Sequence, residues 1–163
     1  MSVLPVPVSP YFPFSPTGKL FASLPVFAGL DDVALDLLAT YSEERRFEQG
    51  AVIVNEGDPG SEMFIIGDGS VEIVKRLGTE NEVVLATLTK RNFFGEMCLI
   101  ECVARSASVR AAEPTVLFAL SARSLLAFYK KWPEQHAIII LNIARDVSRR
   151  LRALDEAFCA RAD

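Results

Sequence analysis

Residues 93–111 read FFGEMCLIECVARSASVRA, and the fold turns on them. Gly95 and Glu96 open a short run compatible with a helix. Arg105 follows, flanked by the small residues Ser106 and Ala107, among segments that otherwise have strand composition. A glycine beside a carboxylate, then an arginine among small side chains, outlines a phosphate-and-sugar cassette, and a fixed anionic ligand explains it best. The guanidinium can meet two oxygens of a phosphate at once, and an ionised carboxylate can only accept, which suits a sugar hydroxyl. Taken singly, Glu96 reads as a solvated carboxylate and Arg105 as half of an exposed ion pair worth at most about 1 kcal/mol.

Working outward, the segment from Glu43 to Ser121 consists of short runs of Val, Ile, Phe and Leu closed by Gly, Pro, Asn or Asp. They recur at intervals of roughly 8 to 12 residues, the spacing of a β-sandwich or roll. Strands are predicted over 45–47, 52–54, 63–66, 71–75, 83–88, 107–111 and 116–120. Gly57-Asp58-Pro59-Gly60 and Asp68-Gly69 supply turns, and Gly78 a hairpin between the fourth and fifth strands.

Both flanks are helical in pattern. Residues 18–42 hold a first helix ending at Pro25 and a second starting after Leu30, where Asp31 and Asp32 suit an N-terminus and its dipole. Beyond Ser121, a candidate N-cap, one helix stops before Pro133, which itself suits the first turn of a long final helix. In that helix Ala137, Ala144, Leu151 and Phe158 recur every seven residues, interleaved with Ile140, Val147 and Leu154. The first half of the stripe is expected to pack back on its own domain; the second half suits dimerisation or a lid equally. Residues 1–17 carry five of the nine prolines and form an extended arm, either loosely docked or a ligand for a partner. The expected layout is therefore an arm (1–17) and one domain (18–163) made of N-terminal helices (18–42), a β-roll (43–121) and C-terminal helices (122–163).

The chain has 163 residues, 50% hydrophobic and 23% charged, which suits one globular domain with a real core. A net charge of -4 opposes a broad electrostatic footprint for nucleic acid or acidic lipid. No apolar run approaches the roughly 18 to 20 residues of a membrane helix, and prolines break the apolar start, so neither a membrane span nor a signal peptide is expected. Three cysteines, Cys98, Cys102 and Cys159, fit a reducing, cytoplasmic setting. Cys98 and Cys102 with a lone His136 make a poor metal site, and no metal is expected; small buried hydrophobes suit the pair better.

The chain resembles the cyclic nucleotide-binding domain family, shared by catabolite-activator-type regulators, cyclic-nucleotide-dependent kinases and cyclic-nucleotide-gated channels. The resemblance is carried by Phe94-Gly95-Glu96, by Arg105 ten residues after Gly95 in RSAS, by EGDPG at 56–60 and by Gly69, and covers about residues 20–154. It implies a mainly β fold, a double-stranded β-helix or jelly-roll β-roll of about eight strands with flanking helices. It also implies that Arg105, Ser106 and the N–H groups near Cys98 and Ala107 hold the phosphate of cyclic AMP or cyclic GMP. Glu96 then takes the ribose 2'-hydroxyl and Gly95 lets the backbone approach the sugar. The purine rests on Val74, Ala86, Leu88 and Cys98, and ligand binding repositions the C-terminal helix to signal to an unknown effector. A homodimer through that helix is an expectation of the heptad stripe, not of the resemblance. Many members have glycine at the position of Cys102 and proline at that of Ala104, so the loop shape is a departure.

Ser-His-Asp or Cys-His chemistry would have to use the single His136, on a helix expected to face the core, and a cupin-type metal site would want several histidines, so an enzyme is not expected, and no cofactor beyond the ligand. Few residues follow the long helix, which argues against a DNA-binding output. The interleaving of Arg145, Arg149, Arg150 and Arg152 with Asp146, Asp155 and Glu156 reads as a solvated, ion-paired face. The rival to a nucleotide sensor is a module that keeps the fold, has lost the ligand and acts through dimerisation or protein contacts.

Overall fold

The structure is a computed structural model that describes residues 16–100 and 103–160, without the side chains of Cys98 and Leu99. Helix α1 spans Pro16–Ala22, a single 3-10 turn spans Pro25–Phe27, and α2 spans Asp32–Tyr41. Eight strands follow: β1 Glu43–Phe47, β2 Val52–Val54, β3 Glu62–Asp68, β4 Ser70–Lys75, β5 Val83–Thr89, β6 Phe93–Phe94, β7 Ser108–Ala111 and β8 Thr115–Ser121. A four-residue helix, α3 (Met97–Ile100), lies between β6 and β7, and α4 (Ala122–Lys131) and α5 (Pro133–Cys159) close the chain.

The strands form two four-stranded antiparallel sheets, one ordered β1-β8-β3-β6 and the other β2-β7-β4-β5. The fold is thus mainly β with flanking helices, as the sequence led us to expect. Strand β3 shows why two sheets and a helical layer share one core. By period-two alternation Met63 and Ile65 face the helices, among Phe21, Phe27, Leu38, Phe128 and Ile139, while Phe64 and Ile66 face the space between the sheets with Phe94, Val109 and Leu117. A strand buried on both faces reads as a continuous apolar run, which MFII does.

Local signals in the sequence act as written. The Ser121 hydroxyl accepts from the Ser124 N–H and caps α4 at 3.0 Å, and Pro133 occupies the first turn of α5, where a missing N–H costs nothing. The arm needs a boundary correction. Pro16 and Thr17 belong to α1, because a proline at a helix start has its φ preset for the helix. Residues 1–15, the rest of that arm, lie outside the described residues.

The face that α5 turns to the domain also needs correction. Ile139, Asn142 and Ile143 are buried, whereas the heptad positions Ile140, Val147, Leu151, Leu154 and Phe158 are 40 to 77% exposed, in the first half of the stripe as well as the second. One residue of offset rotates a helix by about 100°, so the inward face runs 139, 142, 143, 146, 150 and the stripe looks outward. The inward face therefore carries Asp146 and Arg150 beyond the point where the apolar contacts end.

Candidate functional site

A cavity of about 800 Å³ opens between the β2-β7-β4-β5 sheet, the segment from β6 to β7, and the second half of α5. That size holds a small organic ligand. Its apolar wall is Val54, Ile73, Leu85, Ala86, Leu88, Phe94 and Val109, and its polar groups converge from Glu96, Arg105, Ser106, Asp146 and Arg150.

Arg105 is 8% exposed, yet it has no acidic partner among the described residues. The nearby carboxylates are taken: Glu62 pairs with Arg45 at 2.8 Å, and Glu96 faces Arg150. Arg105 Nη1 instead donates to the Glu62 carbonyl at 2.9 Å, with the Gly95 carbonyl at 3.5 Å, and the guanidinium lies 5.6 Å from the Phe64 ring centre. A buried cation is stable only when paired, and this one retains donors that no carboxylate satisfies while it lines an open cavity.

The backbone around Arg105 is pinned by the EGDPG loop. Its N–H donates to the Asp58 carbonyl at 2.8 Å and its carbonyl accepts from the Gly57 N–H at 2.9 Å, alongside a bridge between Pro59 and Ala104. The alanine where many members have proline thus sits in a paired backbone. Cys102 lies outside the described residues.

Gly95 is required for two reasons. Its φ is +81°, and a Cβ there would stand 2.6 Å from Arg105 Nη1 and 2.9 Å from the Glu62 carbonyl oxygen. In the structure the glycine makes room for the arginine and its anchor.

Glu96 is 6% exposed and lines the cavity one residue further on. Arg150 Nη1 lies 3.6 Å from its Oε1. Arg150 also donates through Nη2 to the Phe93 carbonyl at 3.1 Å and rests 5.1 Å from the Phe93 ring centre. Its Nε is 2.7 Å from Asp146 Oδ2 as an ion pair without hydrogen-bond alignment. The expectation of a solvated, ion-paired face holds for Arg149, which pairs with Asp146 at 3.0 Å. It holds only in part for Arg150, which keeps the intrahelical partner Asp146 and also reaches the carboxylate of the cassette. Charged residues at inward-facing positions of an amphipathic helix were the signal that would have found both.

The remaining candidates divide. Ser106 is exposed on the cavity rim and Ala107 lines the cavity. Ala86 and Leu88 lie together in its wall, but Val74 is fully buried and absent from the lining, where its neighbour Ile73 stands instead. Adjacent strand residues face opposite ways, and the register between β4 and β5 slips at this point, pairing Ile73 with Ala86 and Val74 with Val84. Leu85 is the extra residue of that bulge and joins the wall beside Ala86. The Cys98 side chain is not among the described ones. His136 packs edge-on against Tyr129 in a separate, mostly apolar cavity of about 300 Å³ between α4 and α5, where burial lowers its pKa.

A β-roll thus brings a buried carboxylate, and a buried arginine with no acidic partner among the described residues, to one cavity. Comparison with known proteins narrows the class. The family described as "Cyclic nucleotide-binding domain" matches residues 44–131, and the chain belongs to it. The Cyclic AMP receptor protein of Thermus thermophilus is 34% identical over 131 residues, which cover 80% of this chain and 59% of that protein. A cAMP-dependent protein kinase regulatory subunit of Schizosaccharomyces pombe is 32% identical over 93 residues, 57% of this chain and 22% of that one. The crystal structure of Thermus thermophilus Catabolite Activator Protein superposes with a TM-score of 0.70 at 35% identity, covering 82% of this chain and 61% of that chain. The chain thus spans less than two thirds of the length of these relatives. No helix among the described residues is long and apolar enough to cross a membrane.

Proposed function

We propose that the cavity binds a 3',5'-cyclic nucleotide, cyclic AMP or cyclic GMP, and that the domain is a sensor rather than a catalyst. The observation that carries this reading is Arg105, a buried guanidinium with free donors and no acidic partner among the described residues, facing a cavity of ligand size. A cyclic phosphodiester supplies the single negative charge that Arg105 lacks. The Ser106 hydroxyl and the N–H groups near Ala107 complete the phosphate contacts. Glu96 accepts from the ribose 2'-hydroxyl, and the base lies on Ile73, Leu85, Ala86 and Leu88.

Coupling to α5 runs through Glu96. In the structure its carboxylate faces Arg150, so a 2'-hydroxyl that engages Glu96 changes what α5 is held by. Ala153 and Leu154, one turn on, line the cavity mouth and can close over a base. Nucleotide moves this equilibrium only by binding one arrangement of α5 more tightly than the other. The outward apolar stripe of α5 is left for a second copy or an effector, which suits a regulatory domain.

Thermal unfolding with cyclic AMP and cyclic GMP, using 5'-AMP as the uncyclised control, tests the reading. A ligand at one hundred times its Kd adds about 2.7 kcal/mol of stability. A melting temperature that rises with one or both cyclic nucleotides is expected. No rise at millimolar concentration of either would leave the fold as an interaction module.

A further inference from the structure

Lys75, the last residue of β4, lies outside the polar groups lining the cavity, yet it joins three separate segments. Its ammonium donates to Glu56 Oε1 at 2.5 Å and to the Ser106 carbonyl at 2.6 Å. We propose that Lys75 is a positioning residue for the site: it straps the EGDPG loop to the cassette and so fixes the backbone from which Arg105 and Ser106 reach the ligand. This rests on the reading of the cavity as a cyclic-nucleotide site.

The bonds around the strap form one continuous set. The second oxygen of Glu56 accepts from the Arg76 N–H at 3.0 Å, and Arg76 has a φ of +55°, so this carboxylate ends β4 and turns the chain. The Glu56 N–H donates to Ser108 Oγ at 2.9 Å, the Gly57 N–H to the Arg105 carbonyl, and the Arg105 N–H to the Asp58 carbonyl. Loop residues 56–58 are thereby laced to residues 105–108, and among the described residues Lys75 is the one side chain from outside these strips that bonds to both. Arg105 sits beside Ser106, whose carbonyl Lys75 holds, so loosening the strap frees the arginine's own main chain.

A half-exposed Lys–Glu pair by itself contributes little. The bond to the Ser106 carbonyl is what separates this cation from an ordinary surface pair, because it acts on a residue of the binding cassette 31 positions away in sequence. A strap and a distant charge differ in what they predict. Lys75 and Glu56 neutralise one another, so a variant that removes both charges leaves the field at the cavity nearly unchanged while removing the strap.

The test uses Lys75→Met, Lys75→Arg and the double variant Lys75→Met/Glu56→Gln, with calorimetric titration of cyclic AMP and hydrogen exchange of the Gly57 and Arg105 amides in the ligand-free protein. Losing a hydrogen bond to a charged group corresponds to roughly tenfold in affinity. Lys75→Met is expected to weaken cyclic AMP by about tenfold and to speed exchange at both amides, Lys75→Arg to restore both, and the double variant to stay weak. A Lys75→Met Kd within twofold of wild type, or a double variant that regains wild-type affinity, overturns the proposal. If the wild type takes up neither cyclic AMP nor cyclic GMP, the nucleotide reading fails on its own, and the exchange rates still decide: unchanged protection at Gly57 and Arg105 in Lys75→Met overturns the strap.

Discussion

Arg105→Met separates a ligand-directed arginine from a structural one, because the two readings give opposite signs for affinity and stability. Methionine keeps the length and the packing on Phe64 but removes the charge. On the binding side, a phosphodiester loses its charge partner in a buried site, which costs roughly 2 to 5 kcal/mol, about 30- to 4,000-fold in Kd. On the stability side, the ligand-free fold loses the bond to the Glu62 carbonyl, about 1 kcal/mol, and the cation contact with Phe64, of similar size. Against that, it no longer buries a guanidinium without an acidic partner, a cost of several kcal/mol. The ligand-free variant is therefore expected to melt at or above the wild-type temperature while calorimetry shows the affinity collapsing. A Kd within threefold of wild type would mean that the phosphate lies elsewhere, and a strongly destabilised apo protein would mean that Arg105 is a structural cation.

Gly95→Ala must place a Cβ 2.6 Å from Arg105 Nη1 at a φ of +81°, so it is expected to displace the guanidinium and to abolish nucleotide-induced thermal stabilisation. Retained stabilisation would show that the arginine has room to spare. Asn142→Leu takes away the donors that meet the Val26 carbonyl at 3.1 Å and the Ala28 carbonyl at 2.9 Å; urea unfolding should register a loss of roughly 2 to 3 kcal/mol as the buried carbonyls go unpaired. For Arg150→Met, which leaves Glu96 buried beside an empty position, the drop in melting temperature should be smaller with saturating nucleotide than without, since the 2'-hydroxyl replaces the lost partner. His136 has its pKa lowered from 6.5 by burial, so the unfolded chain binds more protons and stability falls as pH drops below 6.5. His136→Gln should flatten that part of the profile, and an unchanged slope would assign it to other groups.

The strands and helix boundaries were legible because each rests on a local rule. Alternation in 63–66, a capping hydroxyl at Ser121 and a proline at position 133 act within a few residues of themselves. The cassette was legible for a similar reason, since Gly95, Glu96 and Arg105 are brought together by one short segment. What escaped depends on phase. The heptad reading of α5 found a genuine apolar repeat, but a repeat does not say which face meets the domain, and the buried face lies one residue away at Ile139 and Ile143. The same kind of slip exchanged Val74 for Ile73, because the bulge at Leu85 changes the pairing between two strands and leaves no mark in composition. The short strand Phe93–Phe94 was hidden in the cassette, where two residues are too few to show a period. Arg150 escaped because its partner Glu96 is 54 positions away, and intrahelical partners were at hand.

The central claim is that Arg105 and Glu96 hold a cyclic nucleotide, and calorimetric titration of the wild-type protein with cyclic AMP and with cyclic GMP tests it most directly. The expected result is saturable heat at one ligand per chain for at least one of them, absent with 5'-AMP and lost in Arg105→Met. No heat with either at millimolar concentration, or equal heat from the Arg105→Met variant, would contradict it.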